Sequence, residues 1–212
     1  MYTPKLFLRD DLPTLHALMR ARSFATLIAA MPDGGLDITH LPFLLDDDGP
    51  LGSLRAHVAR ANPIARAAAA GAPMTVVFTG PHSYVSPRWY ATPSQQVPTW
   101  SYTAVHAHGP SKAMTSSELR VTLDELARLH EADAPDAWRL AMLPEAFVDA
   151  RLQEIMGFTI AIARLDGKTK LSQNRSAIDH ARVIARLRER GGADDLEMVA
   201  MMESDPKRPD AP

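Results

Sequence analysis

The first 80 residues of the chain show the alternation of apolar and polar positions that is typical of short strands. The segments FATLIAA and LDITHLPFLL flank the turn sequence PDGG, so the pattern predicts a strand, a turn and a second strand. LGSLRAHV, which follows the turn sequence DDDGP, is predicted as a third strand. MTVVF is rich in β-branched residues and is predicted as a fourth, buried strand.

Helical periodicity separates and follows these strands. The aspartates of RDDLP precede apolar residues at helical spacing, which predicts an N-capped amphipathic helix with Pro13 in its first turn. Asn62 and Pro63 open a short alanine-rich helix that Gly71 ends. Four later segments are also predicted as helices: TSSELRVTLDELARLHEA, AFVDARLQEIMG, SAIDHARVIARLRER and DDLEMVAMM.

The stretch from Gly80 to Gly109 has a different pattern, because prolines and aromatic residues interrupt it. Proline inside a strand pattern indicates an edge or an irregular crossing, so we predict short broken strands around a long loop at 91–98. GFTIAIARL is predicted as the next strand. Asp166 and Gly167 then form a strong two-residue turn signal, which makes KTKLS the returning strand of a hairpin.

The predicted elements indicate an α+β fold with a mainly β core. Six or seven short strands at hairpin spacing, with helices around them, are typical of a barrel or a sandwich. No internal repeat and no shift in composition marks a linker. We therefore expect a single domain over residues 1–203 and a disordered C-terminal tail over residues 204–212.

Composition and charge restrict the possible functions. The 212 residues include no cysteine, which excludes disulfides, thiolate nucleophiles and Cys-based zinc sites. The formal net charge is −2, which argues against a surface built as a whole for nucleic acid. The N-terminus lacks the apolar core of a secretory signal, and no run of about 18 apolar residues occurs. A cytoplasmic protein is the expectation.

Polar and charged side chains are concentrated in GKTKLSQNR, at residues 167–175, directly after a predicted buried strand. Positive charges and hydrogen-bond donors come almost together here: Lys168, Lys170, Ser172, Gln173, Asn174 and Arg175. The letters GKT resemble the end of a phosphate-binding loop. Ile162 stands where that loop needs its first glycine, so this interpretation fails.

A second candidate is HVARANP, where His57, Arg60 and Asn62 lie at a predicted strand-to-helix junction. Helix N-termini present free N–H groups and a partial positive charge, so they attract phosphate. The alternative is that Asn62 is only an N-cap and Arg60 only a solvated side chain. Taken alone, the motif favours that alternative.

Two further patterns are weaker. His106 and His108 lie two positions apart on a predicted strand and would point to the same face, as paired metal ligands do. No carboxylate is near them in sequence, so histidines along a pocket wall or a dimer face are favoured, and no metal is predicted. RVIARLRER followed by DDLEMVAMM suggests a helix-turn-helix, but the second helix is acidic and a solvated basic face is favoured.

Five motifs in chain order resemble those of the PaiB family: HLPFLLD, HVARANP, VVFTGPHSYVSPRWY, VPTWSYTAVHAHG and GKTKLSQNR. The resemblance extends from about Tyr2 to about Leu187. PaiB proteins are described as FMN-binding negative transcriptional regulators with the flavin split barrel of pyridoxamine-phosphate oxidase-like proteins. The resemblance therefore implies a split β-barrel with peripheral helices, FMN as the cofactor, and a homodimer with flavin at its interface.

The resemblance also implies roles for individual residues. His57, Arg60 and Asn62 would hold the FMN phosphate, and the backbone of 39–42 would face the edge of the ring. The strip at 168–175 would reach over from the partner chain. The expected cofactor-binding residues are Thr39, His40, Leu41, Pro42, His57, Arg60, Asn62, Tyr84, Ser86, Trp100, Tyr102, Lys170, Gln173 and Arg175.

Alternatives to a flavin-binding regulator stay open at this stage. One is an FMN-dependent oxidoreductase that acts on an unknown small molecule, in which the cofactor performs the redox step. Another is haem binding, since related split barrels handle haem and four histidines are available: His57, His82, His106 and His108. Direct DNA contact is not favoured by charge or motif content, so regulation through a metabolite or a protein partner suits the sequence better.

The chain departs from the PaiB pattern at three positions and in one segment. Arg55, Arg88 and Ser101 stand where the family has a glycine, a small residue and an asparagine, and ATPSQQ lacks a lysine. These departures affect the rim of the expected pocket.

Aromatic residues predict the assembly. Trp89, Tyr90, Trp100 and Tyr102 are of the types that anchor interfaces. They favour an obligate homodimer with two equivalent pockets across a two-fold axis. The alternative is that the same residues close a monomeric core.

Overall fold

The computed structural model describes residues 1–31, 33–131 and 135–205, and these ranges contain six α-helices and nine strands. The helices are α1 Leu12–Ala21, α2 Pro63–Ala69, α3 Ser116–Glu131, α4 Glu145–Leu152, α5 Ala177–Arg190 and α6 Ala193–Ser204. The strands are β1 Leu8–Arg9, β2 Phe24–Ala30, β3 Leu36–Pro42, β4 Leu44–Asp46, β5 Ser53–Ala59, β6 Pro73–Val85, β7 Thr99–Ala113, β8 Ile155–Ala161 and β9 Arg164–Lys170. Short 3₁₀ turns lie at Lys5–Phe7, Pro87–Trp89, Pro93–Gln95 and Leu140–Met142.

The chain divides into two compact units, each assembled from separated segments. The first unit comprises Met1–Leu18, Thr79–Val105 and the segment from Asp166 onward. The second unit comprises Met19–Phe78 and His106–Leu165. Because the long strands β6 and β7 each contribute to both, neither unit corresponds to one continuous stretch of sequence.

The second unit is built on an antiparallel sheet with the strand order β3-β2-β6-β7-β8-β5-β4. Strands β2 and β3 form the hairpin that the PDGG turn predicts, with Phe24 opposite Pro42 and Ala30 opposite Leu36. Strand β5 pairs with β8 over its whole length. Alternate residues of β2 and β5 are buried, as the sequence alternation predicts, and they form much of the core: Ala25, Leu27, Ala29, Leu54, Ala56 and Val58.

In the first unit, β9 pairs with β1 and with β7, and α5 and α6 cover one apolar core. Helix α5 begins at the N-cap Ser176, whose Oγ accepts from Asp179 N, and ends at Gly191 in the left-handed conformation. The core cluster consists of Val85, Tyr90, Leu171, Val183, Leu187, Met198, Val199 and Met202. Since α6 contributes three of these residues, it is a packing helix rather than an exposed recognition helix.

The prediction of short broken strands between residues 80 and 109 is wrong. Strand β6 has 13 residues and β7 has 15. In β6, the exposed residues have odd numbers before the buried pair Gly80 and Pro81 and even numbers after it. An irregularity of this kind shifts the alternation without ending a strand, so proline is accommodated. The loop at 91–98 is present between the two strands.

The hairpin predicted at Asp166 and Gly167 is also wrong. Both residues lie inside β9, which pairs with β1 and β7 and not with β8. Gly167 is opposite Arg9, and a Cβ atom at this position would collide with the backbone oxygen of Arg9 and the side chain of Leu15. Gly167 therefore permits a close approach of the β9 and β1 backbones. In the sequence, a glycine with this role looks the same as a glycine in a turn.

The helix predicted for AFVDARLQEIMG ends earlier than expected. Helix α4 ends at Leu152, and Ile155, Met156 and Gly157 belong to β8. A Cβ atom on Gly157 would crowd Met114 and Leu119, so this glycine serves packing against β8 rather than helix termination.

The C-terminal tail was predicted from residue 204, but Ser204 closes α6 and Asp205 is buried. The Asp205 carboxylate accepts hydrogen bonds from Arg9 Nη2 at 2.7 Å and from Gln173 Nε2 at 3.0 Å. The rest of the predicted tail, 206–212, lies outside the described residues. Among the described residues, no helix has the length and apolar character needed to cross a membrane.

Candidate functional site

The polar strip at the end of β9 forms one face of the first unit. Lys168 and Lys170 occupy half-exposed positions of β9, whereas Gly167 and Thr169, which alternate with them, are buried. Lys168 Nζ donates to the Tyr2 carbonyl at 3.2 Å and lies 5.1 Å from the centre of the Tyr102 ring. The strip therefore presents ammonium groups beside an aromatic surface.

Charge in the strip is not balanced. Burial lowers the pKa of Lys170, and repulsion from Lys168 and Arg175 lowers that pKa further. No carboxylate is among the groups that act on Lys170 in the described chain. Its Nζ donates to the neutral Thr99 Oγ1 at 2.5 Å. An anionic ligand would offset this repulsion.

Arg175 is held in place by the loop between β6 and β7. Its Nη1 donates to Gln96 Oε1 at 2.6 Å, and its guanidinium lies 4.6 Å from the centre of the Tyr90 ring. Tyr90 is fully buried in the core, and burial raises the pKa of its hydroxyl. Tyr90 therefore closes the core of this unit, and the prediction that it anchors an interface is wrong.

Aromatic residues of β6 and β7 extend this face. Trp100 is 53% exposed, and its ring is 5.9 Å from that of Tyr84 and 6.0 Å from that of His82, measured between centres. Tyr84 is also exposed, and Tyr102 lies under Lys168. The expected residues Tyr84, Trp100, Tyr102, Lys170 and Arg175 therefore all belong to the first unit, where flat rings and cations occur together.

Two expected ligand contacts in this unit have structural roles. Gln173 is buried, its Oε1 accepts from Leu171 N at 2.7 Å, and its Nε2 donates to both Thr169 O and Asp205. Both amide hydrogens are committed, so Gln173 holds the loop and cannot donate to a cofactor in this arrangement. Ser86 is buried and its Oγ accepts from Arg88 N at 3.3 Å, which caps the 3₁₀ turn.

The loop that Gln173 holds has an unusual backbone. Ser172 adopts a positive φ of 62°, the only described residue other than glycine to do so. Such conformations cost free energy and persist where the surroundings impose them, often beside functional groups. Arg175 follows three residues later, and its N–H donates to the Ser172 carbonyl at 3.0 Å. This turn sets the direction of the chain between the end of β9 at Lys170 and Arg175.

In the second unit, His57 on β5 is a candidate for ligand contact. Its Nδ1 is buried and has no hydrogen-bond partner among the described residues. Burial lowers the pKa of His57, so the neutral imidazole is favoured. An unsatisfied buried nitrogen costs free energy, which a ligand donor or acceptor would recover.

Arg60 and Asn62 are occupied largely by the protein itself. Arg60 donates from Nε to the Gln153 carbonyl at 2.9 Å and from Nη2 to the Ile155 carbonyl at 3.0 Å. Asn62 Oδ1 accepts from Ile64 N at 2.9 Å and caps α2. The N-cap interpretation of Asn62 is confirmed. Arg60 retains its Nη1 group for a ligand, so its phosphate contact stays a prediction.

The expected ring-edge residues lie on β3, the terminal strand of the sheet order in the second unit. Thr39, Leu41 and Pro42 are half-buried, whereas His40 is exposed and stacks on Phe24 with ring centres 6.3 Å apart. A terminal strand has unpaired backbone groups, which is what contact with a ring edge through the backbone requires.

Arg55, one of the departures from the PaiB pattern, connects three elements of the second unit. Its guanidinium binds Asp46 on β4 and both Glu125 and Thr122 on α3. Hydrogen bonding to Asp46 raises the pKa of Arg55 strongly. Arg55 thus attaches α3 to the sheet, and an effect of this residue on the rim of a pocket stays a prediction. No signal in the sequence paired Arg55 with Asp46 or Glu125.

Comparison with known proteins identifies the family. Residues 1–164 match the family model described as "Putative FMN-binding domain". The chain belongs to this family. It is 30% identical to Protease synthase and sporulation protein PAI 2 of Bacillus subtilis, over 98% of this chain and 99% of that protein. An uncharacterized protein of Aspergillus fumigatus is 28% identical, over 87% of this chain and 89% of that protein. The resemblance to the PaiB family is confirmed.

Solved structures confirm the fold. The FAD and heme binding protein of Mycobacterium smegmatis matches with a TM-score of 0.58 at 19% identity, over 74% of this chain and 70% of that chain. The flavocytochrome Anf3 of Azotobacter vinelandii matches with a TM-score of 0.58 at 15% identity, over 77% of this chain and 69% of that chain. The chain is therefore a PaiB-like protein with the flavin split-barrel fold, and FMN is the cofactor for which its family is described.

Proposed function

We propose that this PaiB-like chain binds FMN as a homodimer with two equivalent sites, each of which takes residues from both chains, and that it regulates through this ligand. The observation that carries the proposal is the position of Lys170, which is repelled by Lys168 and Arg175 on a face that also carries the exposed rings of Tyr84 and Trp100. FMN has an anionic phosphate, a hydroxyl-rich chain and a flat ring, so it complements a surface of cations, donors and aromatic faces.

The residues present fit the cofactor in two groups. From one chain, Lys170 and Arg175 would donate charge-assisted hydrogen bonds, and Trp100 would offer a flat face to the ring. From the other chain, His57 would use its unsatisfied Nδ1, and the open edge of β3 would meet the ring edge. Bound FMN supplies hydride and electron transfer, and these residues bind and orient it.

Exposed apolar residues support the homodimer. Leu36 is 71% exposed, Ile38 is 57% exposed, and both lie on the terminal strand β3. Natural proteins cover such apolar edges, because unpaired backbone and exposed side chains otherwise promote aggregation. A second copy of the chain would cover this edge and would bring the open backbone of β3 to a shared site.

Flavin binding is tested with the purified full chain and its Lys170→Gln variant. Absorbance reports endogenous flavin, and quenching of FMN fluorescence reports binding to the apoprotein. Loss of one charged hydrogen bond is worth about 1.5–3 kcal/mol, so we expect binding roughly tenfold or more weaker. Lys112→Gln, an exposed change on β7, is the control and should bind like the native chain. If neither endogenous flavin nor saturable binding appears, the proposal is wrong.

The regulatory part of the proposal does not require a DNA-binding helix. Met198, Val199 and Met202 of α6 are buried, and Asp195 accepts from Ser83 and Arg190. Because these contacts commit α6 to packing within the chain, α6 is poorly suited to enter a DNA groove. Regulation through FMN, a metabolite or a protein partner is therefore favoured. A gel-shift series over salt concentration tests this view, because binding to DNA phosphates weakens steeply as salt rises. A salt-sensitive shift with one DNA sequence would contradict it.

A further inference from the structure

A cavity of about 580 Å³ lies in the second unit, and none of its lining residues belongs to the expected flavin site. Ile28 and Ala30 of β2, Leu36 of β3 and Pro73 of β6 form much of its apolar wall. This volume is within the range of about 300–1,000 Å³ that small-molecule sites occupy. Apolar walls with a few polar groups are typical of such sites.

Three of the lining residues bring polar side chains to the cavity: Thr75, His108 and Arg164. His108 Nδ1 is 2.9 Å from Thr75 Oγ1, and this hydrogen bond fixes the orientation of the imidazole. Arg164 also lines the cavity. Arginine and histidine side chains beside an apolar wall suit a carboxylate attached to an apolar body, since the guanidinium binds carboxylates through paired N–H groups.

Backbone hydrogen bonds hold the cavity in a fixed shape. His108 O accepts from Ala163 N at 2.8 Å, and Ala72 O accepts from Ser111 N at 3.1 Å. The wall formed by β2 is paired on both sides, with Ile28 opposite both Ile38 and Thr75. A preformed site loses little conformational entropy when a ligand binds. Its shape therefore does not depend on a ligand to order it.

Gly109 explains why β7 can form this wall. A Cβ atom at Gly109 would overlap the carbonyl group of Ala161 and crowd Ile160. The glycine lets β7 approach β8 closely, which sets the positions of His108 and Pro110 beside the cavity.

We propose that this cavity binds a small organic acid with an apolar aryl or alkyl body, whose carboxylate is recognised by Arg164 and His108. The site is separate from the residues expected to hold FMN. The ligand class follows from the arginine in the lining and from the apolar residues that form much of the wall. Failure of FMN binding would leave this proposal intact, and failure of acid binding would leave the flavin proposal intact.

The test is a titration of the full ¹⁵N-labelled chain with 4-phenylbutyrate, followed by amide chemical shifts, both with and without FMN. We expect saturable shifts at the cavity amides, including those of Gly71, Thr75 and Gly109. The neutral analogue 4-phenyl-1-butanol should bind roughly tenfold more weakly, because it lacks the charge that the Arg164 guanidinium recognises. Shifts that map elsewhere, or equal binding of the acid and the alcohol, would overturn the proposal.

Three variants refine the test. Arg164→Gln should weaken the binding of 4-phenylbutyrate roughly tenfold and leave the binding of the alcohol unchanged. Ala30→Phe fills the cavity and should abolish binding of both, whereas Arg66→Gln on the exposed face of α2 should alter neither. If Arg164→Gln binds the acid like the native chain, the carboxylate assignment is wrong.

Discussion

Individual residues of the polar strip show how this protein keeps positive charge available. Lys170 is half-buried next to two other cations, and its hydrogen bond goes to a neutral hydroxyl. Its lowered pKa means that the charged ammonium is less stable in the folded chain than in water. A bound phosphate would reverse that effect, which couples proton binding at Lys170 to ligand binding.

The first prediction concerns the pH dependence of Lys170. Because its folded-state pKa is below the unfolded value near 10.4, the unfolded chain binds more protons between those two values. Stability of the ligand-free protein should therefore rise with pH across this window, and FMN affinity should fall. Lys170→Gln should remove both dependences. The measurement is the difference between native and variant proteins in denaturant unfolding and in FMN titration over pH 8–10.5. Identical pH profiles would contradict the prediction.

The second prediction concerns Gly167. A methyl group there would meet the Arg9 carbonyl and Leu15, and overpacking of this kind costs about 1–3 kcal/mol. Gly167→Ala should lower the free energy of unfolding by that amount and disturb the pairing of β9 with β1. Gly35→Ala, near an exposed turn, is the control and should change stability much less. A Gly167→Ala protein as stable as the native chain would show that the strands separate easily.

At the scale of elements, the C-terminal end of α6 holds the loop that carries the strip. Asp205 accepts from Arg9 of β1 and from Gln173, and Gln173 in turn binds Thr169 and Leu171. The side chain of Asp205 is 1% exposed, so this network is shielded from water. Helix α6, strand β1 and the loop after β9 are therefore joined by a single buried carboxylate.

The third prediction follows from this network. Asp205→Asn replaces one carboxylate oxygen by an N–H donor, so Arg9 or Gln173 loses its hydrogen bond to residue 205, at a cost of about 1–3 kcal/mol. We expect lower stability and weaker FMN binding, because the loop that positions Arg175 is loosened. Asp194→Asn, on the exposed face of α6, should leave both unchanged. Loss of stability with unaltered FMN affinity would show that the network does not position the strip.

At the scale of the whole molecule, we propose that each flavin site takes residues from two chains. The cationic strip belongs to the first unit, and His57 and β3 belong to the second. Complementation between chains can test whether a site takes each group from a different copy. His57 is better suited to this test than Arg60, because Arg60 also holds the carbonyls of Gln153 and Ile155.

The fourth prediction is recovery in mixed dimers. His57→Ala and Arg175→Ala chains should each bind FMN poorly alone. In a mixed dimer with shared sites, one of the two pockets is intact, so random exchange should restore about a quarter of the flavin sites. Sedimentation should show a dimer for both variants. No recovery after exchange, or a monomer in sedimentation, would contradict shared sites.

The sequence by itself determined most of the helices and strands and the family of this protein. Alternation of apolar and polar residues in FATLIAA and LRAHV specified strands β2 and β5. The residues that cap and end α2 and α5 specified these helices. Both signals are readable in the sequence because they act over only a few residues. The ordered motifs carried the PaiB resemblance. The concentration of hydrogen-bond donors near residue 170 is also apparent from the sequence alone.

The tertiary structure decided which of these side chains are available to a ligand. Only the fold shows that Gln173 is committed to the backbone, that Tyr90 closes a core, and that the ammonium of Lys170 donates to a neutral hydroxyl. It also shows that Gly167 permits a close approach of β9 to β1 and does not form a turn. The physical reason is that partners such as Asp205 and Arg9 are distant in the chain, so their contacts depend on long-range packing that local patterns do not encode.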